Sequence, residues 1–333
     1  MSTLSKNDPS VSSNTSSNES IEKRGCIPTD TIIDAIISRA SDQISTPAES
    51  ASKKHEDRRI YLANPAVTPT ALAHSLWLQP IRPFRDTIID ATAGNGKDSL
   101  MLASMLFPSD SDYTFDNTND HNDHAKPQLI SIDIQQRACE NTQSLLEENL
   151  PPDIIKNHIQ VLHGSHAPLP SLPKESVGLI CYNLGYLPGA DKEAFQTQMM
   201  TTIYSLADAA LLLRPGGLLS VMSYPGNGWE EHCAVNYFME GLSMFGTRDR
   251  GGWGGFVDSI PSDYVLQQRH VGLYGGDDEV SASPEENTIR QTVKLALERV
   301  KEDGFDNQIW RVFDHRPLGR SLSPILFTGT RIK

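Results

Sequence analysis

The stretch Ile88-Ile89-Asp90-Ala91-Thr92-Ala93-Gly94-Asn95-Gly96-Lys97-Asp98-Ser99 decides the fold of this chain. An apolar run ends on an acid, passes through two closely spaced glycines and enters a helical pattern, which predicts strand, turn and helix in succession. Glycine serves where the backbone must take a positive φ or approach a ligand closely, so Gly94 and Gly96 fit a cofactor-binding turn. The third glycine of a dinucleotide fingerprint would fall at position 99, where the chain has Ser99, and this speaks against a nicotinamide or flavin enzyme. Asp90, Thr92, Gly94, Asn95, Gly96 and Asp98 are the cofactor-binding candidates of this segment.

Working outward, strand-like runs recur at 87–91, 128–133, 159–163, 177–183 and 217–224, with helical patterns between most of them. Two further runs, 308–314 and 324–331, close the chain. Such alternation predicts an α/β fold, a mainly parallel sheet with helices on both faces. Before the first strand, Thr68 followed by Pro69 predicts a helix start. Residues 1–55 are rich in Ser, Thr and Asn and read as a disordered tail, with an amphipathic helical pattern at 29–44. Two segments interrupt the alternation. Residues at about 108–127 are a polar Asp/Asn/Ser insertion, and those at about 246–284 alternate glycines with Trp253, Phe256, Tyr264 and Tyr274, as a substrate lid or a surface elaboration would.

The net charge of −13 excludes a broadly basic surface, so any nucleic-acid contact must be local. Cys26, Cys139, Cys181 and Cys233 lie far apart, at spacings that suggest neither a disulfide framework nor a zinc site, and no metal is expected. No run approaches the roughly 20 apolar residues of a membrane span, so no membrane partner is expected. A cytoplasmic location follows, with mitochondrion or plastid as the alternative for the Ser-rich tail.

At the end of the second strand, Asp133 is placed to accept hydrogen bonds from both ribose hydroxyls of a nucleoside-bearing cofactor, with Ile134 beside it. His163 and His166 flank the exit of the third strand, and His166 is a candidate for the adenine side. After the fourth strand comes Asn183-Leu184-Gly185-Tyr186-Leu187-Pro188-Gly189-Ala190-Asp191-Lys192. Asn183 and Tyr186 share the spacing of the Asn-Pro-Pro-Tyr motif of amino-group methyltransferases, in which the amide accepts from the target amine and the ring stacks on the base. Asn183 falls beyond the carboxyl end of a strand, where open α/β sheets bind their ligands, which places it beside the reactive end of the cofactor as a further cofactor-binding candidate. On the same rim, Tyr224 begins the loop after the fifth strand.

The turn at 90–99, the Asp133-Ile134-Gln135 step and the segment from Asn183 to Lys192 together resemble the YtqB/MnmM-like class I S-adenosylmethionine-dependent methyltransferases, a family first labelled rRNA methylases. The resemblance covers about 68–237 and the last strands. It departs at Lys97, at Ala190 and in the loop Tyr224-Pro225-Gly226-Asn227. It implies a Rossmann-like fold with a seven-stranded sheet, over a domain spanning 56–333, and S-adenosyl-L-methionine as cofactor. The implied reaction is N-methylation of 5-aminomethyl-2-thiouridine at the tRNA wobble position, giving the 5-methylaminomethyl product. Asn183, Tyr186 and Asp191 would then be catalytic, and Leu187, Gly189, Lys192 and Tyr224 would line the substrate. Asp191 and Tyr224 are the candidate proton acceptors. Methylation of an adenine or protein amino group, or a noncatalytic adenosylmethionine-binding subunit, are the alternatives. A homodimer or an accessory subunit is left open.

Overall fold

The computed structural model describes residues 68–108, 127–185, 198–226, 228–245, 284–303, 308–316 and 323–333. All of them belong to the compact unit Ile60–Lys333. The tail at 1–55, its helical pattern and most of both insertions lie outside the described residues.

Seven strands form one sheet: β1 (Thr87–Asp90), β2 (Gln128–Asp133), β3 (Ile159–His163), β4 (Val177–Asn183), β5 (Leu213–Ser223), β6 (Trp310–His315) and β7 (Ile325–Arg331). Their spatial order is β3-β2-β1-β4-β5-β7-β6. Pairings are parallel from β3 to β5, whereas β7 runs antiparallel to both β5 and β6. This is the Rossmann-like class I methyltransferase fold. The interior strands β1 and β4 are buried along nearly their whole length, as parallel strands covered on both faces must be.

Among the described residues seven helices cover the sheet: α1 (Pro69–Trp77), α2 (Lys97–Leu106), α3 (Gln136–Asn149), α4 (Pro152–His158), α5 (Met199–Leu212), α6 (Trp229–Ser243) and α7 (Pro284–Glu302). Alternate residues of each strand feed two cores. Ile88, Leu129, Leu179 and Cys181 pack with α1 to α4 on one face. Ile89, Ile130, Ile180 and Tyr182 pack with α5 to α7 on the other. No described helix is long and apolar enough to cross a membrane.

Helix α1 starts where the sequence predicts: the Thr68 hydroxyl accepts from the Ala71 N–H at 3.1 Å, with Pro69 at the first position. Its far end is pinned by Trp77, whose buried indole N–H donates to Ser220 Oγ of β5 at 2.9 Å. The fifth strand begins earlier than its apolar pattern. Leu213 already pairs with Val177, after which the register jumps so that Leu179 faces Leu218. The intervening Arg214-Pro215-Gly216-Gly217 forms the bulge, because Pro215 has no N–H for the ladder and Gly216 takes φ +76°.

Candidate active site

The strand order reverses between β1 and β4, and at such a switch point the loops leaving the two strands part to open a crevice at their carboxyl ends. The predicted glycine turn lies there. Gly94 and Gly96 have φ of +55° and +79°, and the turn is closed by the Gly96 N–H donating to the Ala93 carbonyl at 2.9 Å. A Cβ on Gly96 would lie 2.8 Å from Thr142 Cα, so the turn also depends on glycine to let α3 approach. Thr142 Oγ1 donates to the Gly94 carbonyl at 3.1 Å, and the exposed Asn95 accepts from Asn141 Nδ2 at 3.0 Å.

Asp133, at the tip of β2, is tied to this turn. Its carboxylate accepts from the Gly94 N–H and the Gln135 N–H, both at 2.9 Å, one bond on each oxygen. Each oxygen keeps further acceptor capacity, and the residue is half-buried rather than sealed. Next to it Ile134 leaves 59 % of its surface exposed, a flat apolar surface beside a carboxylate. The pair suits a nucleoside, with ribose hydroxyls on Asp133 and the base against Ile134.

Asp90 is fully buried at the end of β1, where it accepts from Ser99 Oγ at 2.6 Å and from the Thr92 N–H at 3.3 Å. Burial, aided by the nearby Asp98, pushes its pKa up to about 7. The unfolded chain gives up this proton near the ordinary value of 3.8, the folded protein only near 7. Asp90 therefore supports folding at acid pH and loses that contribution as pH rises from about 3.8 to about 7. His166 and His232 act in the opposite sense. Burial lowers both to about 4, so their contribution is present above 6.5 and is lost as pH falls through about 4. Because the two effects overlap, the expected signature of Asp90 is a difference. Urea unfolding should show Asp90→Asn gaining on the wild type between pH 4 and 7 and holding that gain above pH 7. A constant difference across this range would remove the assignment.

Thr92 links the glycine turn to the fourth strand: its Oγ1 accepts from the Asn183 N–H at 2.6 Å. The Asn183 carboxamide then takes part in a chain of side chains. Its Nδ2 donates to Asp98 Oδ2 at 3.2 Å, and its Oδ1 accepts from the Tyr224 hydroxyl at 2.8 Å. Burial and then the neighbouring Asp98 raise the Tyr224 pKa, so this phenol holds its proton and serves as a donor. That favours a substrate-positioning role for Tyr224 over proton acceptance. The other Asp98 oxygen meets His74 Nε2 at 2.8 Å. Asp98 thus bridges two side chains, which its prediction as a cofactor ligand did not anticipate.

His74 is the residue that sequence reading missed. It lies on α1, ahead of the glycine turn, and the only local signal is a histidine three residues before Trp77, on the face that packs against the sheet. Of the two histidines at the exit of β3, His163, its last residue, meets the Ile134 carbonyl at 3.0 Å. His166 is buried edge-on to Tyr182, and its Nε2 has no hydrogen-bond partner. A buried imidazole nitrogen left unpaired is costly, which keeps His166 a candidate ligand contact. The predicted Tyr186, Leu187, Gly189, Asp191 and Lys192 lie outside the described residues.

Residues 129–246 match the family model described as "Putative rRNA methylase". The chain is 34% identical over 179 residues to an Arabidopsis thaliana protein described as "tRNA (mnm(5)s(2)U34)-methyltransferase, chloroplastic", covering 53% of this chain. The chain spans 60% of that relative's length. Among solved structures, a putative rRNA-methylase from Clostridium thermocellum aligns at 20% identity with a TM-score of 0.45, covering 80% of this chain and 98% of the other. An rRNA methylase from Streptococcus thermophilus aligns at 16% identity with a TM-score of 0.40, covering 80% and 97%. The segment 129–246 that matches this family model carries β2 to β5, Asp133 and Asn183.

Proposed function

We propose that the protein is an S-adenosylmethionine-dependent N-methyltransferase acting on tRNA, with the primary amine of 5-aminomethyl-2-thiouridine at the wobble position as its acceptor. The observation that carries this reading is the Asn183 carboxamide, held at the switch point with its nitrogen on Asp98 and its oxygen turned toward Tyr224. An amide oxygen has two lone pairs, and Tyr224 uses one, so the second is available to an N–H of the acceptor. The fold, the half-exposed Asp133 and the apolar surface of Ile134 support an adenosine-bearing cofactor. The relative's description supports tRNA as the acceptor class.

In this mechanism the bound cofactor supplies an electrophilic sulfonium methyl. Asp133, Ile134 and the 94–96 turn would hold that cofactor, and direct transfer of its methyl to the amine would need no covalent enzyme intermediate. Asn183 would fix the amine facing the methyl to be transferred, a contribution of proximity and orientation. An aliphatic ammonium must first lose a proton, and Asp191 is the proposed acceptor. Tyr186 stacks on the base, while Leu187, Gly189 and Lys192 line its approach. The net charge of −13 calls for a local tRNA contact, which this reading assigns to this rim, with or without a second subunit. As to compartment, cytoplasm and plastid both stay consistent with this function, the latter through the relative described as chloroplastic.

The test is incorporation of labelled methyl from S-adenosylmethionine into two tRNA preparations, one carrying 5-aminomethyl-2-thiouridine and one lacking the aminomethyl group. Label in the first and none in the second is expected. Equal label in both, or label in neither, would redirect the search to other amines.

A further inference from the structure

We infer that His74, acting through Asp98, is the positioning residue that sets which way the Asn183 carboxamide faces. The inference rests on the functional reading above for its catalytic consequence, but its geometric part stands on the fold alone.

A free asparagine amide has two faces of nearly equal shape, one a donor and one an acceptor. For an amine acceptor only one orientation is productive, with the oxygen toward the incoming N–H. Asp98 makes that choice, because a carboxylate accepts hydrogen bonds and so selects Nδ2 over Oδ1. Tyr224 reinforces it from the opposite side by donating to Oδ1. Asp98 in turn has one oxygen on Asn183 and the other on His74 Nε2, and this second contact stops the carboxylate from rotating away. The acceptor partner also assigns the His74 proton to Nε2.

The position of His74 is built into the fold. It follows the capped start of α1 and precedes Trp77 by three residues, and Trp77 is anchored by its hydrogen bond to Ser220. The two rings are in contact, with centroids 4.8 Å apart. The His74 side chain keeps 23% of its surface exposed and that of Asp98 16%, so the pair lies at the rim of the crevice rather than in the core. Four elements thereby converge on one amide: α1 through His74, α2 through Asp98, the end of β4 through Asn183 and the end of β5 through Tyr224.

The experiment compares wild type, His74→Ala and His74→Gln, since glutamine carries an amide N–H at nearly the reach of Nε2. Two readouts are taken: the side-chain amide resonances of Asn183, assigned by their loss in Asn183→Asp, and kcat and KM for methyl transfer. In His74→Ala the Asn183 amide protons should shift and exchange faster with solvent. Its kcat should fall roughly 10- to 100-fold, as expected for a misplaced reacting group, with the KM for S-adenosylmethionine within about twofold. His74→Gln should recover most of both. An Asn183 amide unchanged in His74→Ala, or a glutamine variant no better than alanine, would overturn the inference. If the wild type methylates no amine at all while the Asn183 resonances still respond to His74, the geometric inference is upheld and the functional reading fails.

Discussion

Replacing Asn183 with alanine should cut methyl transfer roughly 100- to 1,000-fold, the usual cost of removing a preorganised polar group that orients reacting atoms. Affinity for S-adenosylmethionine should stay within a few-fold of the wild type. The two effects should separate because, in the proposed reading, the cofactor is held mainly by Asp133, Ile134 and the 94–96 turn, whose hydrogen bonds do not include the Asn183 side chain. The β4 end should also keep its place, since its link to Thr92 uses the backbone N–H of residue 183. The substitution leaves Asp98 bonded to His74 and frees the Tyr224 hydroxyl at a half-buried position open to water, so the fold should survive. Single-turnover transfer with saturating cofactor, alongside calorimetric binding, checks both parts. Unchanged turnover in this variant would remove Asn183 from the chemistry.

The largest effect on stability is expected at the opposite edge of the sheet. Asp86, directly before β1, has a fully buried side chain gripped by two arginines. Arg82 donates through its backbone N–H, Nε and Nη2, and Arg214 through Nε and Nη2, at distances from 2.7 to 3.0 Å. Burial alone would raise the Asp86 pKa, but the hydrogen bonds from Arg214 and Arg82 outweigh it and hold the carboxyl below its ordinary value. Asp86→Ala would leave the Arg214 side chain, only 12% exposed, without its counter-charge. Removing one partner of a buried pair costs about 3–5 kcal/mol. For a domain of this size that corresponds to a drop in Tm of roughly 10 °C. At a permissive temperature cofactor affinity should be unchanged, because the cluster lies at the amino ends of the strands. A Tm within about 2 °C of the wild type would contradict the account, given that scale. The same cluster explains Gly178 on the adjacent strand, where any Cβ would lie 2.5 Å from Asp86 Oδ2.

Much of this architecture was legible because its determinants are local. Each strand is a short apolar run bounded by turn formers, and the Asp90 to Ser99 turn carries its own glycines. Asp133 and Asn183 were found because each closes an apolar run, which places a polar side chain at the carboxyl edge of the sheet. The features that escaped are non-local. His74 meets Asp98 across 24 residues and Arg214 meets Asp86 across 128, with nothing in either neighbourhood marking the pairing. The bulge opposite Val177 escaped for a related reason. It extends the strand through a Pro-Gly-Gly sequence that reads as a turn, and only the partner strand reveals that Leu213 is already paired. The amide orientation of Asn183 needed three side chains from three other elements, so the sequence could nominate the residue but not its facing.

The most direct test of the central claim is nucleoside mass spectrometry of the tRNA product after methyl transfer by the wild-type protein. The account predicts one added methyl on the side-chain amine of the wobble nucleoside, converting 5-aminomethyl- to 5-methylaminomethyl-2-thiouridine. A methyl found on a ring atom or a ribose oxygen, with the aminomethyl nucleoside unchanged, would contradict it.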